Sequence, residues 1–398
     1  MKIGLLRERK NPPDNRVPLT PIQANAFAEK FPEVELVAEA SDTRCFTNEE
    51  YETQGIKVQT NMDDCDVLLG VKEVPIEALI EGKTYMFFSH TIKAQPYNKE
   101  LLKAILKKRI TLIDYEVIKW ENGQRVLGFG RWAGIVGAYN GLLTYGLKTG
   151  SFHLKPAYQC RDFTEMLVNA SQVKLDPIKI AITGNGRVAT GSLEVLRNLR
   201  IREVSPTQYL RDEFDEPVFV HLHSQHLYRH PELDKWDSEY FYAHNSEYMS
   251  TFGPYTAVTD VLIHGIFWGN DMPIMFSKQD AAKPEFKIGV IADITCDVDG
   301  SIPITYKYTN ITNPIISWDK STQSPCNEAN ENSIEIMAVG NLPNELPRDA
   351  SETFGEKMLK YTLPEFLKGD SPIIENAIMT KDGKLRPNFA YLQAWLDS

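Results

Sequence analysis

IKIAITGNGRVATGSLEVLRNL, residues 178–199, reads as an apolar strand, a glycine turn and a helix. Its Gly184-Asn185-Gly186-Arg187-Val188-Ala189 forms a Gly-x-Gly-x-x-Ala pattern, whose small residues let the backbone approach a pyrophosphate laid on the helix N-terminus. A glycine turn needed only for tight packing gives the same string, so the strand-turn-helix context carries the weight. Units of this kind end their next strand in an Asp or Glu that accepts the ribose hydroxyls of NAD. Here the next run, IREVS, closes on Ser205-Pro206, which makes Ser205 the residue expected at that position. The 2′-phosphate of NADP is therefore not excluded, although no arginine stands obviously in place for it.

On either side of this stretch the elements alternate. KIGLLRE is a strand, Thr20-Pro21 caps and opens a helix, and VELVAEA is a second strand. CDVLLGVKE, KTYMFFSH and RITLIDYE are further strand-length runs, the last two separated by the helical NKELLKAILKKR. Strands apolar on both faces and alternating with helices argue for a mostly parallel sheet. WAGIVGAYNGLLTYGL is a glycine-bearing apolar helix long enough to bridge two domains, and EPVFVHL and FKIGVIADI are later strands of a second α/β unit. The expected layout is a substrate domain of residues 1–130 plus about 325–398, a bridging helix over 131–150, and a dinucleotide-binding domain over 151–324. From about residue 330 no strand alternation is evident, and that tail is expected to pack on the first unit.

Composition narrows the function. A 398-residue chain with 42% apolar and 24% charged residues can bury large cores, and its net charge of −11 opposes nucleic acid and anionic membranes. The sequence shows no long apolar run and no leader-like start at Met1, which makes the cytoplasm the expected compartment. Five scattered cysteines suggest reduced thiols rather than a disulfide framework.

In open parallel sheets ligands bind beyond the carboxyl ends of the strands, so a polar residue ending an apolar strand faces a crevice. His90 ends KTYMFFSH, and Lys72 ends LLGVKE before it. If those strands are neighbours, an amine and an imidazole share one rim, as proton transfer at an amino or imine nitrogen requires. Each alone equally suits a long side chain capping a strand end. Arg16 in DNRVPLTP and Arg125 in GQRVLGFG are candidates for binding carboxylates bidentately, or ordinary surface arginines. His221, His223, His226 and His230 crowd HLHSQHLYRH, but without a thiolate or carboxylate complement they read as a polar loop, and no metal is expected.

KTYMFFSHTIKAQ, LIDYE, GFGRWAGIVGAYN, STFGPYTAVTDVLIHGIFW, IADITCDVDGSI and NLPNELPRDASETFGEKM closely resemble the lysine-2-oxoglutarate reductase and lysine-forming saccharopine dehydrogenase branch of the alanine dehydrogenase and transhydrogenase family. The likeness extends over nearly the whole chain. It implies an α/β protein of two Rossmann-like doubly wound domains with an interdomain cleft, the first domain completed by the C-terminal segment. It also implies an NAD(P)-dependent oxidoreductase that interconverts lysine plus 2-oxoglutarate and saccharopine by reductive amination, with NADP favoured over NAD. The family's acid/base lysine and histidine fall on Lys72 and His90, and its substrate-carboxylate arginines on Arg16 and Arg125. Lys93 and Gln95 belong to the branch-specific string and are expected to help hold a dicarboxylate. Asp293 matches an aspartate near the nicotinamide, with Asp297 just beyond. Gly340 stands where the branch usually has an acidic residue, and the loop after His230 differs from the branch. An alanine dehydrogenase-like enzyme and a non-catalytic dinucleotide-binding protein remain the competing readings. Small-molecule substrates are the expected partners, with a homo-oligomer left open.

Overall fold

The computed structural model describes residues 1–269 and 271–398. In chain order its strands are β1 (Lys2–Leu5), β2 (Glu35–Glu39), β3 (Lys57–Gln59), β4 (Val67–Leu69), β5 (Thr84–Phe87), β6 (Thr111–Asp114), β7 (Lys179–Thr183), β8 (Arg202–Glu203) and β9 (Val218–Leu222). They continue with β10 (Tyr228–Arg229), β11 (Met249–Ser250), β12 (Val261–His264), β13 (Val290–Asp293), β14 (Ile315–Asp319), β15 (Ser324–Cys326), β16 (Ser333–Met337), β17 (Ile378–Lys381) and β18 (Lys384–Leu385). Two compact units result, Met1–Phe129 with Pro347–Ser398, and Gly130–Leu346. Each is a Rossmann-like, doubly wound α/β unit.

The first unit is built on a sheet of order β18-β17-β6-β5-β4-β1-β2-β3. It is parallel from β6 to β3, with β17 and β18 added antiparallel at one edge. Its strands are nearly continuous apolar runs because helices cover both faces. The helix Pro21–Lys30 begins where the sequence indicates: Thr20 Oγ1 accepts from the Gln23 amide, and Gln23 Oε1 accepts from the Thr20 amide. The C-terminal segment is tied in by polar contacts as well as by β17, since the Val17 amide donates to Ser351 Oγ and the Leu112 amide to Thr380 Oγ1. The chain winds outward from β1 to β3, then returns to β4 on the other side. The carboxyl ends of β1 and β4 therefore flank a topological switch point, where open α/β sheets bind ligands.

The second unit has the order β15-β14-β16-β13-β12-β7-β9-β8, parallel from β16 to β8, with β14 and β15 antiparallel. Its switch point lies between β7 and β12. Two features differ from the expectation. The strands of residues 315–337 extend this sheet, so the returning segment starts at Pro347 rather than about residue 325. That returning tail also contributes strands of its own, β17 and β18, to the first sheet.

The apolar helix Gly130–Thr149 belongs to the second unit instead of standing apart as a bridge. Its glycines explain the placement. A Cβ on Gly134 would sit 1.8 Å from Val188 O, and one on Gly191 would sit 1.9 Å from Arg131 O. The helix therefore meets Arg187–Asn198 backbone to backbone, and Ser192 Oγ donates to Gly134 O at 3.1 Å. Gly191→Val is expected to force these helices apart and cost on the order of 3 kcal/mol, read as a lower urea midpoint with an unchanged slope.

Candidate active site

In the first unit three strand ends converge. β4 and β5 are parallel neighbours, pairing Val67 with Thr84 through Leu69 with Met86, so Lys72 and His90 follow adjacent strands at the same end of the sheet. Glu73 joins the two segments: its Oε1 lies 2.6 Å from His90 Nδ1, and its Oε2 accepts from Lys10 Nζ at 3.0 Å. The turn that presents His90 is itself built. His90 adopts φ 53°, a left-handed conformation uncommon for a residue with a side chain. Asp114, fully buried at the end of β6, accepts from the Ser89 amide and hydroxyl, and Asn98 Nδ2 donates to His90 O. The His90 ring stacks on Phe88.

The segment after β1 supplies the remaining charges. Glu8 accepts from the Val71 and Lys72 amides at 2.7 and 2.8 Å, fixing the backbone that carries Lys72. Arg16 is buried, lies over the Phe129 ring at 4.2 Å, and presents Nε and Nη2 to Asp14 at 2.9 and 2.5 Å. Loss of water and the nearby Arg16 charge lower the Lys72 ammonium to about 8, against the opposing pull of Asp14 and Glu73. Burial alone would raise the Glu73 carboxyl, but the His90 hydrogen bond and charge, with Lys10, hold it at about 2. Burial and the Asp14 charge push Glu8 up to about 8 despite its two amide donors. An ionised Glu73 fixes the histidine tautomer: Nδ1 carries the proton toward the carboxylate, and Nε2 is the nitrogen left to exchange protons with a ligand.

The Glu73 shift is also a stability statement. Its folded value lies below the ordinary 4.5, so the gain is present above about pH 4.5 and is lost as pH falls toward 2. Glu73→Gln is expected to cost on the order of 1 kcal/mol at pH 7 once solvent screening at partly exposed His90 is allowed for. The difference from the parent should shrink in urea melts taken toward pH 3.

The expected carboxylate binders are placed unequally. Arg125 is partly exposed and pairs with Glu116 Oε1 at 3.0 Å. Arg16 already shares one edge of its guanidinium with Asp14, and Lys93 and Gln95 are exposed on the segment after His90. Glu73, Glu8 and Asp14 were not among the sequence candidates. The only hints were the Lys-Glu step after an apolar run and an Asp two residues before Arg16.

In the second unit β7 delivers Thr183 to the glycine turn. Gly184 has φ 107°, and a Cβ there would lie 2.6 Å from Gly265 O, so the turn and the end of β12 close on each other. A Cβ on Gly186 would meet open space, and Gly186 caps the helix Arg187–Asn198 without a side-chain hydrogen bond, so a ligand can approach the helix N-terminus closely. Asn185 is exposed, and Arg187 and Val188 are half-buried at the helix start. These features suit a pyrophosphate.

Two other positions behave differently from the expectation. Ser205 does not follow the strand beside β7: β8 pairs only with β9, at the sheet edge, and Ser205 Oγ is spent capping the short helix Pro206–Arg211 through the Gln208 amide. Asp293, at the end of β13, is fully buried, with one oxygen accepting from Thr295 and the other from Thr305 at 2.6 and 2.7 Å. Burial pushes its carboxyl up to about 6, and its direct effect is to hold the loop that follows, where Asp297 is exposed. A histidine not anticipated from the sequence stands beside it. His264, paired in register with Thr183 and Asp293, is buried, bonds Thr183 Oγ1 and Ser301 Oγ at 2.8 Å each, and is held neutral by burial, at about 3. Among the described residues no group of three or more His, Cys, Asp or Glu is placed to hold a metal ion. Nor, among them, is any helix long and apolar enough to cross a membrane.

Residues 4–136 match the family profile "Alanine dehydrogenase/PNT, N-terminal domain". The chain is 30% identical to the mouse protein named alpha-aminoadipic semialdehyde synthase, mitochondrial, over 100% of this chain and 48% of that one. It thus spans about half the length of that relative. It is 24% identical to a Candida glabrata protein named saccharopine dehydrogenase [NAD(+), L-lysine-forming], over 89% of each. A solved L-alanine dehydrogenase superposes with a TM-score of 0.69 at 17% identity, covering 100% of both chains, which shows the shared fold. Residues 4–136 are therefore similar to alanine dehydrogenase/PNT N-terminal domains, in a chain that is also similar to proteins named aminoadipic semialdehyde synthase and lysine-forming saccharopine dehydrogenase.

Proposed function

We propose that the chain is an NAD(P)-dependent oxidoreductase that interconverts lysine plus 2-oxoglutarate and saccharopine. The observation that carries the reading is the Lys72–Glu73–His90 rim at the strand ends of the first unit, in a chain similar over 89% of its length to a protein named saccharopine dehydrogenase [NAD(+), L-lysine-forming]. NAD(P) fits the glycine turn of the second unit, where Gly184, Asn185, Gly186, Arg187 and Val188 form a side-chain-poor helix start that a pyrophosphate can approach. Bound there, it would supply or remove the hydride at the carbon that was the ketone of 2-oxoglutarate and is bonded to the bridging nitrogen.

The chain's own groups move the protons. Lys72 Nζ, lowered to about 8, is neutral often enough near physiological pH to take a proton from the substrate amine, and returns it in the opposite direction. His90 Nε2, with Nδ1 held by Glu73, assists the loss and addition of water at the same carbon. Saccharopine carries three carboxylates. Arg125, Lys93 and Gln95 contribute contacts for them, and Arg16 contributes positive charge while oriented by Asp14.

The test is turnover by the purified chain with lysine, 2-oxoglutarate and NADPH or NADH, with saccharopine identified by mass. Turnover of pyruvate and ammonia instead would favour an amino-acid dehydrogenase. Cofactor binding without turnover of either pair would favour a non-catalytic protein.

A further inference from the structure

The order of strands in the second unit changes which residues reach the ribose end of a bound dinucleotide. In doubly wound sheets the strand lying beside the first one ends next to the adenosine ribose. The strand beside β7 here is β9 and not β8, in register from Lys179 with Val218 to Thr183 with Leu222. β9 is fastened to the glycine turn. His221 Nε2 lies 2.7 Å from Gly184 O, and the Ser224 amide and hydroxyl donate to Asn185 Oδ1 at 3.3 and 3.2 Å. Where a carboxylate would accept two ribose hydroxyls, the chain sets three imidazoles, with ring centroids 4.2 Å apart for His221 and His223 and 5.7 Å for His223 and His226.

We propose that His221, His223 and His226 at the carboxyl end of β9 form the subsite for the 2′-phosphate of NADP(H). The inference rests on the dinucleotide reading of the glycine turn and adds the choice between the two cofactors. Hydrogen bonding orients the donors. His221 Nε2 must carry its proton to bond a carbonyl, and His226 Nδ1 accepts from the His223 amide at 3.1 Å, which leaves His226 Nε2 as its N–H. Burial lowers His221 and His226, helped by their mutual charge with His223, so without an anion they are mainly neutral at pH 7. The other charged groups facing His221 are Glu203 on β8 and Arg197 on the helix Arg187–Asn198, and these two neutralise each other in a 2.8 Å pair. A phosphate dianion supplies the missing counter-charge and draws protons onto the imidazoles. Binding of the phosphorylated cofactor therefore takes up protons and strengthens as pH falls.

The experiment is calorimetric titration of the intact chain with NADPH, NADH, adenosine 2′,5′-bisphosphate and AMP between pH 6 and 8.5. NADPH is expected to bind at least about tenfold more tightly than NADH at pH 6.5, with the advantage shrinking toward pH 8.5. The bisphosphate should show the same advantage over AMP. His223→Ala with His226→Ala should remove most of that advantage and leave the NADH Kd unchanged. His226→Gln, which keeps a polar side chain of similar reach, gives the same comparison if the double variant fails to fold. Equal binding of NADPH and NADH at every pH, or equal weakening of both by the variants, would overturn the histidine subsite while leaving the dinucleotide reading intact. Absence of binding by all four ligands would overturn both.

Discussion

Lys72→Met is expected to lower kcat for saccharopine formation about 100- to 10,000-fold, the range that a positioned acid or base contributes. Methionine keeps the length and apolar stem of the side chain but removes the group that exchanges the proton. The loss should fall on kcat more than on cofactor affinity, because the glycine turn belongs to the other unit. Unfolding is not expected to account for it. The folded Lys72 value of about 8 lies below the ordinary 10.5, so the buried ammonium costs stability in full below pH 8, and that cost fades as pH rises toward 10.5. Removing the amine should therefore leave the Tm at pH 7 unchanged or raised. A variant with near-parent kcat, measured with saturating lysine, 2-oxoglutarate and NADPH, would remove Lys72 from the mechanism.

The second large effect is expected at His90, where the choice of substitution matters. His90 sits at φ 53°, a conformation that costs any residue with a Cβ, so alanine keeps that cost while removing the imidazole. Asparagine tolerates the left-handed conformation and retains a polar side chain, so His90→Asn separates chemistry from turn geometry. It is expected to lower turnover at least about 100-fold while the Kd for NADPH stays within about twofold of the parent. Comparable losses in turnover and in dinucleotide affinity would show that His90 shapes the protein rather than the reaction. Because Glu73 fixes the tautomer, Glu73→Gln should show a smaller loss of the same kind.

The placement of Lys72 and His90 after neighbouring strands was legible in the sequence because each interrupts an apolar run with a polar group at its carboxyl end. The glycine turn was legible because strand, turn and helix are local. What escaped depends on which strands become neighbours. IREVS follows the glycine helix in the chain, so Ser205 looked like the ribose-side residue, but pairing in the sheet puts β9 in that place and moves β8 to the edge. VLIH, too short to stand out, became the central strand β12 and carried His264 to the turn. Glu8, Asp14 and Glu73 look like ordinary surface charges in sequence, and only the switch point between β1 and β4 gathers them around Lys72. The helix Gly130–Thr149 was recognisable as a helix. Its membership in the second unit is decided by the close approach of Gly134 and Gly191 to the facing backbone, which no periodicity reveals.

The central claim is that the Lys72 amine is the group that accepts the substrate's proton. The pH dependence of kcat/KM for saccharopine oxidation tests it directly. The parent should show a rising limb that levels off near pH 8, since only the neutral amine can act as base, and Lys72→Met should lose that limb along with its rate. The same limb in both proteins would assign the ionisation to another group and contradict the account.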